Sequence, residues 1–206
     1  MSAQALAVRE AEGFSGRLGM WIFLASELMF FGGVFFAYAY GRSHWPEGFA
    51  EAGRHTHVGI GTFNTALLLT SSAIVAFAAA CAKHGAPHRW TARLLWATAA
   101  LGAAFLALKG VEYAKEWHEH LVPGAGFALA APGAQLFYML YFFATGLHAL
   151  HLAIGMGLVA AMAWGSGRGR AWADAHTVEA GALYWHFVDI VWIFLYPLIY
   201  LMGRHA

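Results

Sequence analysis

Five runs in this 206-residue chain are long and apolar enough to cross a bilayer, and this fact limits the fold more than any other. A helix needs about 20 apolar residues to span a hydrocarbon core of roughly 30 Å. The first run extends from about Leu18 to Tyr40, and Glu27 alone interrupts it. The second, about Val58 to Ala82, holds no charge. The third, about Arg93 to Tyr113, is uncharged until Lys109 and Glu112 near its far end. The fourth, about Gln135 to Trp164, contains His148 and His151. The fifth, about Leu183 to Gly203 with a start up to a turn earlier, contains His186 and Asp189. With 60% hydrophobic and 11% charged residues there is too little charge to coat a soluble core of this size. The sequence therefore predicts an all-α fold, an integral membrane bundle of five transmembrane helices.

The connections GRSHWPEG, KHGAPHRW, WHEHLVPGAG and GSGRGRAW are short, polar or rich in Gly and Pro, and read as loops. None is long enough for a second domain, and no internal repeat is evident. Residues 1–16 read as a short N-terminal cytoplasmic segment without a cleavable signal, and residues 17–206 as one transmembrane domain. Tyr38, Tyr40, Trp45, Trp90, Trp164 and Trp172 stand near run ends, where interfacial aromatics belong. An odd number of crossings puts the termini on opposite sides. Arg9, Arg17, Lys83, Arg89, Arg93, Arg168 and Arg170 fall on the N-terminal side; Arg42, Arg54, Lys109, Lys115 and Arg204 fall on the other. That asymmetry favours a cytoplasmic N-terminus. The net charge of +1 gives no nucleic-acid footprint, and the single Cys81 excludes an intrachain disulfide.

Ionisable groups at membrane depth are costly and call for a reason. Glu27 lies nine residues into the first run, roughly 13 Å at the helical rise. Asp189 and the pair His148 and His151 fall at a comparable depth, and each three-residue spacing puts two polar groups on one helix face. A proton relay, a cofactor site or a subunit-docking site would use such a layer. So would a hydrogen-bond network in which His186 and Asp189 tie the fifth crossing to the fourth, and this structural reading is favoured. Glu27 has only Phe23, Leu24, Phe30 and Phe31 within a helical turn. A carboxyl buried without a partner stays protonated, as proton handling requires. A haem or metal site is not expected, because no third ligand joins the histidines at that depth, and His118-Glu119-His120 reads as a solvated loop.

The motifs RLGMWIFLASELMFFGGVFFAY, NTALLLTSS, LKGVEY, FYMLYFFATGLHALHLAIG and YWHFVDIVWIFLYPLIY, in this order, resemble subunit III of the haem-copper oxidases. The resemblance covers most of Arg17 to Gly203. It implies a non-catalytic, non-redox membrane subunit beside catalytic subunit I of a cytochrome c oxidase, with haem and copper held by the partner subunits. It also implies a bacterial cytoplasmic membrane, support of proton uptake and of aerobic electron transport, and bound phospholipid. Glu27 falls on the family's intramembrane acid, a proton-handling or subunit-contact position, and its glutamate form resembles the cytochrome c branch more than the quinol branch. Glu112 falls on a helix-end Glu-Tyr pair; His148, His151, His186 and Asp189 fall on inner polar positions; Arg17 becomes a candidate lipid-headgroup or interface contact. Larger members have seven helices, and this sequence aligns from about their third, which leaves their two-part lipid cleft without a counterpart. A five-helix accessory protein of nitric oxide reduction is the alternative within the family. A small proton-coupled transporter using Glu27 and Asp189 is the alternative from another class.

Overall fold

In the computed structural model the backbone is described for residues 3–202 and the side chains for residues 18–202. Six α-helices and one π-helical turn follow in order, with no strand among the described residues: α1 (Ala3–His44), α2 (Pro46–His55), α3 (Val58–Lys83), α4 (His88–His118), α5 (Ala134–Gly167), α6 (Ala175–Tyr196) and the turn Pro197–Leu201. Five of them, α1, α3, α4, α5 and α6 with its π-turn, are long and apolar enough to cross a membrane. Helices are the form such runs must take, because hydrocarbon offers no partner for backbone N–H and C=O groups.

α3, α4, α5 and α6 close a four-helix ring, each packed on two neighbours, and α1 lies outside it against α5 and α6. Large aromatics of α6 and its π-turn fill sockets left by glycines. A Cβ on Gly102 would stand 2.8 Å from the Trp185 ring, and one on Gly61 would stand 3.0 Å from Tyr200. In lipid, close packing of this kind replaces the hydrophobic force that holds soluble helices together.

Three boundaries differ from the sequence reading. α1 begins at Ala3, inside the stretch expected as a separate segment, and only Leu18–His44 of it has the composition of a crossing. α6 begins at Ala175, well before Leu183, because Asp174 caps it by accepting a hydrogen bond from the Thr177 N–H at 2.9 Å. The first connection is largely helical. Pro46 starts α2, and Phe49 and Ala52 bury its apolar face.

At the end of α6, Pro197 has no N–H to continue the α-helical ladder. The chain widens instead into a π-turn closed by the Met202 N–H donating to Pro197 C=O at 3.1 Å. Two groups of α1 grip this turn: the Tyr38 hydroxyl donates to Leu198 C=O, and Arg42 Nη2 donates to Met202 C=O at 3.1 Å. The turn also buries Tyr200 and aims it into the ring.

Candidate functional site

Each polar residue singled out from the sequence lies on the helix expected, but the four inner positions do not form one layer. His151 faces α1: its Nε2 lies 3.0 Å from Glu27 Oε2. The premise that Glu27 lacks a partner is therefore corrected. The partner comes from another helix, which spacing along α1 cannot reveal. His151 Nδ1 lies 2.9 Å from the Leu147 carbonyl, which can only accept, so Nδ1 carries a hydrogen. Nε2 must then either accept a proton from a neutral Glu27 or donate one to an ionised Glu27. Either way a single proton lies between the two residues.

Tyr184 braces the pair by donating to His151 C=O at 3.0 Å, and Phe31 packs edge-on against the imidazole at 5.3 Å. The side chains of His151 and Glu27 are 12% and 19% exposed, so the pair is shielded without being sealed. It opens onto a groove of about 580 Å³ whose apolar walls include Met20, Phe23, Leu150 and Ile154.

His186 and Asp189 are corrected in a different way. The expectation ties the fifth crossing to the fourth; the structure ties α6 to α3. Ser72 Oγ lies 2.7 Å from His186 Nδ1, and one residue away Trp185 Nε1 donates to Ser71 Oγ at 3.0 Å. Both serines lie on α3, whose uncharged run holds hydroxyls suited to this but gives no hint of which helix they meet. Asp189 stands near Ser72, yet neither of its carboxyl oxygens closes a hydrogen bond. His148 points into the ring, fully buried. Its imidazole lies between Phe105 at 5.6 Å and Trp192 at 5.0 Å, and neither nitrogen has a protein hydrogen-bond partner. Three residues from His151 on the same helix, it thus serves a different environment. The Arg17 side chain lies outside the described residues.

Glu112 is not at a helix end. α4 runs on to His118, and Glu112 is fully buried with Lys109 beside it. Lys109 Nζ donates to Glu112 Oε2 at 3.0 Å, to the Tyr141 hydroxyl at 2.8 Å and to the Tyr200 hydroxyl at 2.6 Å. Tyr200 in turn donates to Glu112 Oε1 at 2.6 Å. One turn further along, Glu116 is buried and closes no hydrogen bond. The sequence reading passes over Lys109, Glu116, Tyr141 and Tyr200 as site residues. The signal was present, since positions 109, 112 and 116 recur at helical spacing on one face of α4. Among the described residues no three His, Cys, Asp or Glu side chains stand close enough to share a metal ion.

A family model for cytochrome c oxidase subunit III matches residues 10–204. The chain belongs to the cytochrome c oxidase subunit III family. It is 34% identical over 192 residues to a cytochrome c oxidase subunit 3 of Thermostichus vulcanus, covering 91% of this chain and 87% of that one. A cytochrome c oxidase subunit 3 of a Bacillus species is 32% identical over 93% of this chain and 88% of its own length. A heme-copper oxidase subunit I+III of Aeropyrum pernix matches at 31% identity over 90% of this chain and 22% of its own length. This subunit III is thus an integral membrane component of a haem-copper oxidase and works with other oxidase subunits. The nitric oxide accessory and transporter readings are not favoured.

Proposed function

We propose that this subunit III holds no redox centre of its own. On this reading it lies beside catalytic subunit I of a cytochrome c-oxidising enzyme, in a bacterial cytoplasmic membrane with its N-terminus inside, and supports proton uptake by that partner. Haem and copper belong to the partner subunits. The observation that carries the reading is the Glu27–His151 pair, which has one shared proton and an open groove at its side. A carboxyl and an imidazole that share one proton offer a neighbouring group a proton-exchanging partner at membrane depth. The groove's apolar walls suit a phospholipid chain or a side chain of the adjoining subunit, and Glu27 is then a proton-handling or contact residue rather than a catalytic one. Covalent and redox chemistry are left to subunit I.

The charge asymmetry supports the orientation more strongly once Lys109 is removed from the count. It is buried in the ring and pairs with Glu112, so it is not a loop charge. Glu27→Gln in the intact oxidase tests the reading. Glutamine keeps the shape and a hydrogen bond to His151 but cannot take or give the shared proton. Sustained oxygen reduction or the proton yield per electron should fall several-fold at most, with the haem spectrum and the subunit content unchanged. Unaltered turnover and proton yield would reduce the pair to a packing contact. Complete loss of activity in an intact complex would make this chain a direct catalyst, against the proposal.

A further inference from the structure

The cluster around Lys109 is independent of the groove and of the role proposed for Glu27. Its hydrogen bonds can be followed one by one. The ammonium group has three N–H donors, and all three are engaged, by Glu112, Tyr141 and Tyr200. Both oxygens of Glu112 are engaged as well, by Lys109 and by Tyr200. One cation and one carboxylate therefore satisfy each other. Glu116 is left over. It is 1% exposed, and neither oxygen has a hydrogen-bond partner in the protein. The Tyr141 hydroxyl, which accepts from Lys109, has its own proton to offer in that direction.

Charged and titratable groups act on Glu116 from α4, α5 and the π-turn. Lys109, Glu112 and Glu119 lie along its own helix and just beyond it, and Tyr141 and Tyr138 come from α5. Tyr200 comes from the π-turn, and Tyr113 turns away to Thr145 at 2.5 Å. The Tyr138 hydroxyl is itself buried and unpaired. The cation that acts on Glu116 is Lys109, and its three donors are already committed. An ionised Glu116 would be a second buried carboxylate drawing on that one ammonium, at a cost in stability.

We propose that Glu116 is a proton-binding site, filled from the aqueous side through the Glu119–His57 pair. Glu119 follows Glu116 by one helical turn, and its Oε1 lies 3.7 Å from His57 Nε2. Their side chains are 45% and 31% exposed, so the pair meets water, and the Glu119 charge acts on Glu116. From Glu116 the polar chain continues inward through Tyr141 and Lys109 to Glu112 and Tyr200. The bound proton cancels the surplus charge and lets the cluster remain buried; its release would leave two carboxylates competing for one ammonium. The site faces the membrane surface that carries the α4–α5 connection.

Infrared difference spectra of the intact oxidase, parent against Glu116→Gln, test this directly. The parent should show a protonated-carboxyl band worth one group that is missing from Glu116→Gln and still present in Glu27→Gln. The band should shift in heavy water, and it should be unchanged when sodium and potassium are replaced by choline. The double variant His57→Ala, Glu119→Gln should keep the band and slow its shift several-fold. If Glu116→Gln fails to assemble, Glu116→Asp keeps a carboxyl in place, and its band should move in frequency without vanishing. A spectrum identical in parent and variant overturns the proposal. So does a band that appears only when the metal cations are withdrawn, because the counter-charge would then be a bound sodium or potassium ion.

Discussion

Neutralising Glu112 alone should damage this protein more than neutralising Glu112 and Lys109 together. In Glu112→Gln the lysine ammonium keeps two tyrosine hydroxyls and loses its carboxylate, deep inside a four-helix ring where its own exposure is 3%. Removing one partner of a buried ion pair costs about 3–5 kcal/mol when the remaining charge stays buried and uncompensated, and here Glu116 compensates Lys109 only by giving up its proton. At 1.4 kcal/mol per factor of ten, that is roughly a hundredfold to a few thousandfold in the equilibrium holding the fold together. In Lys109→Met, Glu112→Gln both charges are gone. The methionine fills the alkyl volume, and the glutamine carbonyl still accepts from Tyr200. Replacing a buried pair by neutral groups of similar size is often close to neutral, so the double variant should lie within about 1 kcal/mol of the parent. The assay is retention of subunit III in the purified oxidase as temperature or detergent harshness rises, scored by the midpoint at which the subunit is lost. The single variant should lose it far earlier than parent and double variant, which should nearly coincide. If Glu112→Gln alone retains the subunit like the parent, or the double variant is no better than the single, the cluster is not an interdependent ion pair and the reasoning fails.

Other outcomes follow from the same geometry. Ser72→Ala removes the α3 partner of His186, 2.7 Å away, and should cost about 1 kcal/mol, read as a modest drop in the same retention midpoint. Asp189→Asn should assemble normally, since neither carboxyl oxygen closes a hydrogen bond; complete loss of the subunit would show that Asp189 is ionised and paired. Gly48→Ala would put a Cβ 2.1 Å from the Pro132 carbonyl oxygen and 2.9 Å from the Ala134 nitrogen, both backbone atoms, so α2 should lift and Pro46–His55 should become cleavable by added protease. The chain expressed alone and purified in detergent should show no haem absorption and no stoichiometric metal; a stoichiometric haem would contradict the role proposed for it.

The five crossings were legible because apolar length is a one-dimensional property, and Val58–Lys83 differs from its expected bounds by a single residue. α2 was not legible. Ten residues with Pro46, Glu47 and Gly48 at the start resemble a polar turn, and the helix shows itself only through what Phe49 and Ala52 bury. The early start of α6 was hidden for a related reason: AHTVEAGA is too polar to count toward a span, although Asp174 and Thr177 form a readable cap. Spacing gave the face on which a polar side chain lies, never the helix that face would meet. His148 and His151 were therefore read as one layer. In the ring one of them meets Phe105 and Trp192, and the other meets a glutamate on α1. The Lys109 cluster was missed because its charges stand near the end of an apolar run, where solvent is the default assumption. Only the continuation of α4 to His118, together with cover from α5 and the π-turn, puts them inside.

The Glu27–His151 pair and the Lys109 cluster also divide the architecture. The ring of α3, α4, α5 and α6 has its own polar centre in Lys109 and Glu112, locked by tyrosines from α5 and from the π-turn. Besides aromatic contacts, polar bonds tie α1 to the ring at two levels: Tyr38 and Arg42 grip the π-turn, and Glu27 meets His151 about 11 residues back toward the N-terminus, roughly 16 Å along the helix. Between α1 and α5 the packing is loose enough to leave the open groove, and α1 turns Trp21, Ile22, Met29 and Phe36 outward. An internal pair that served only to pin α1 would be better placed in the tight contact near Tyr38, where the polar partners are already satisfied. Glu27 and His151 instead border the groove on the α1–α5 contact, within reach of whatever fills it. On the role proposed for Glu27, this placement, more than the identity of either residue, separates it from the cluster that holds the ring together.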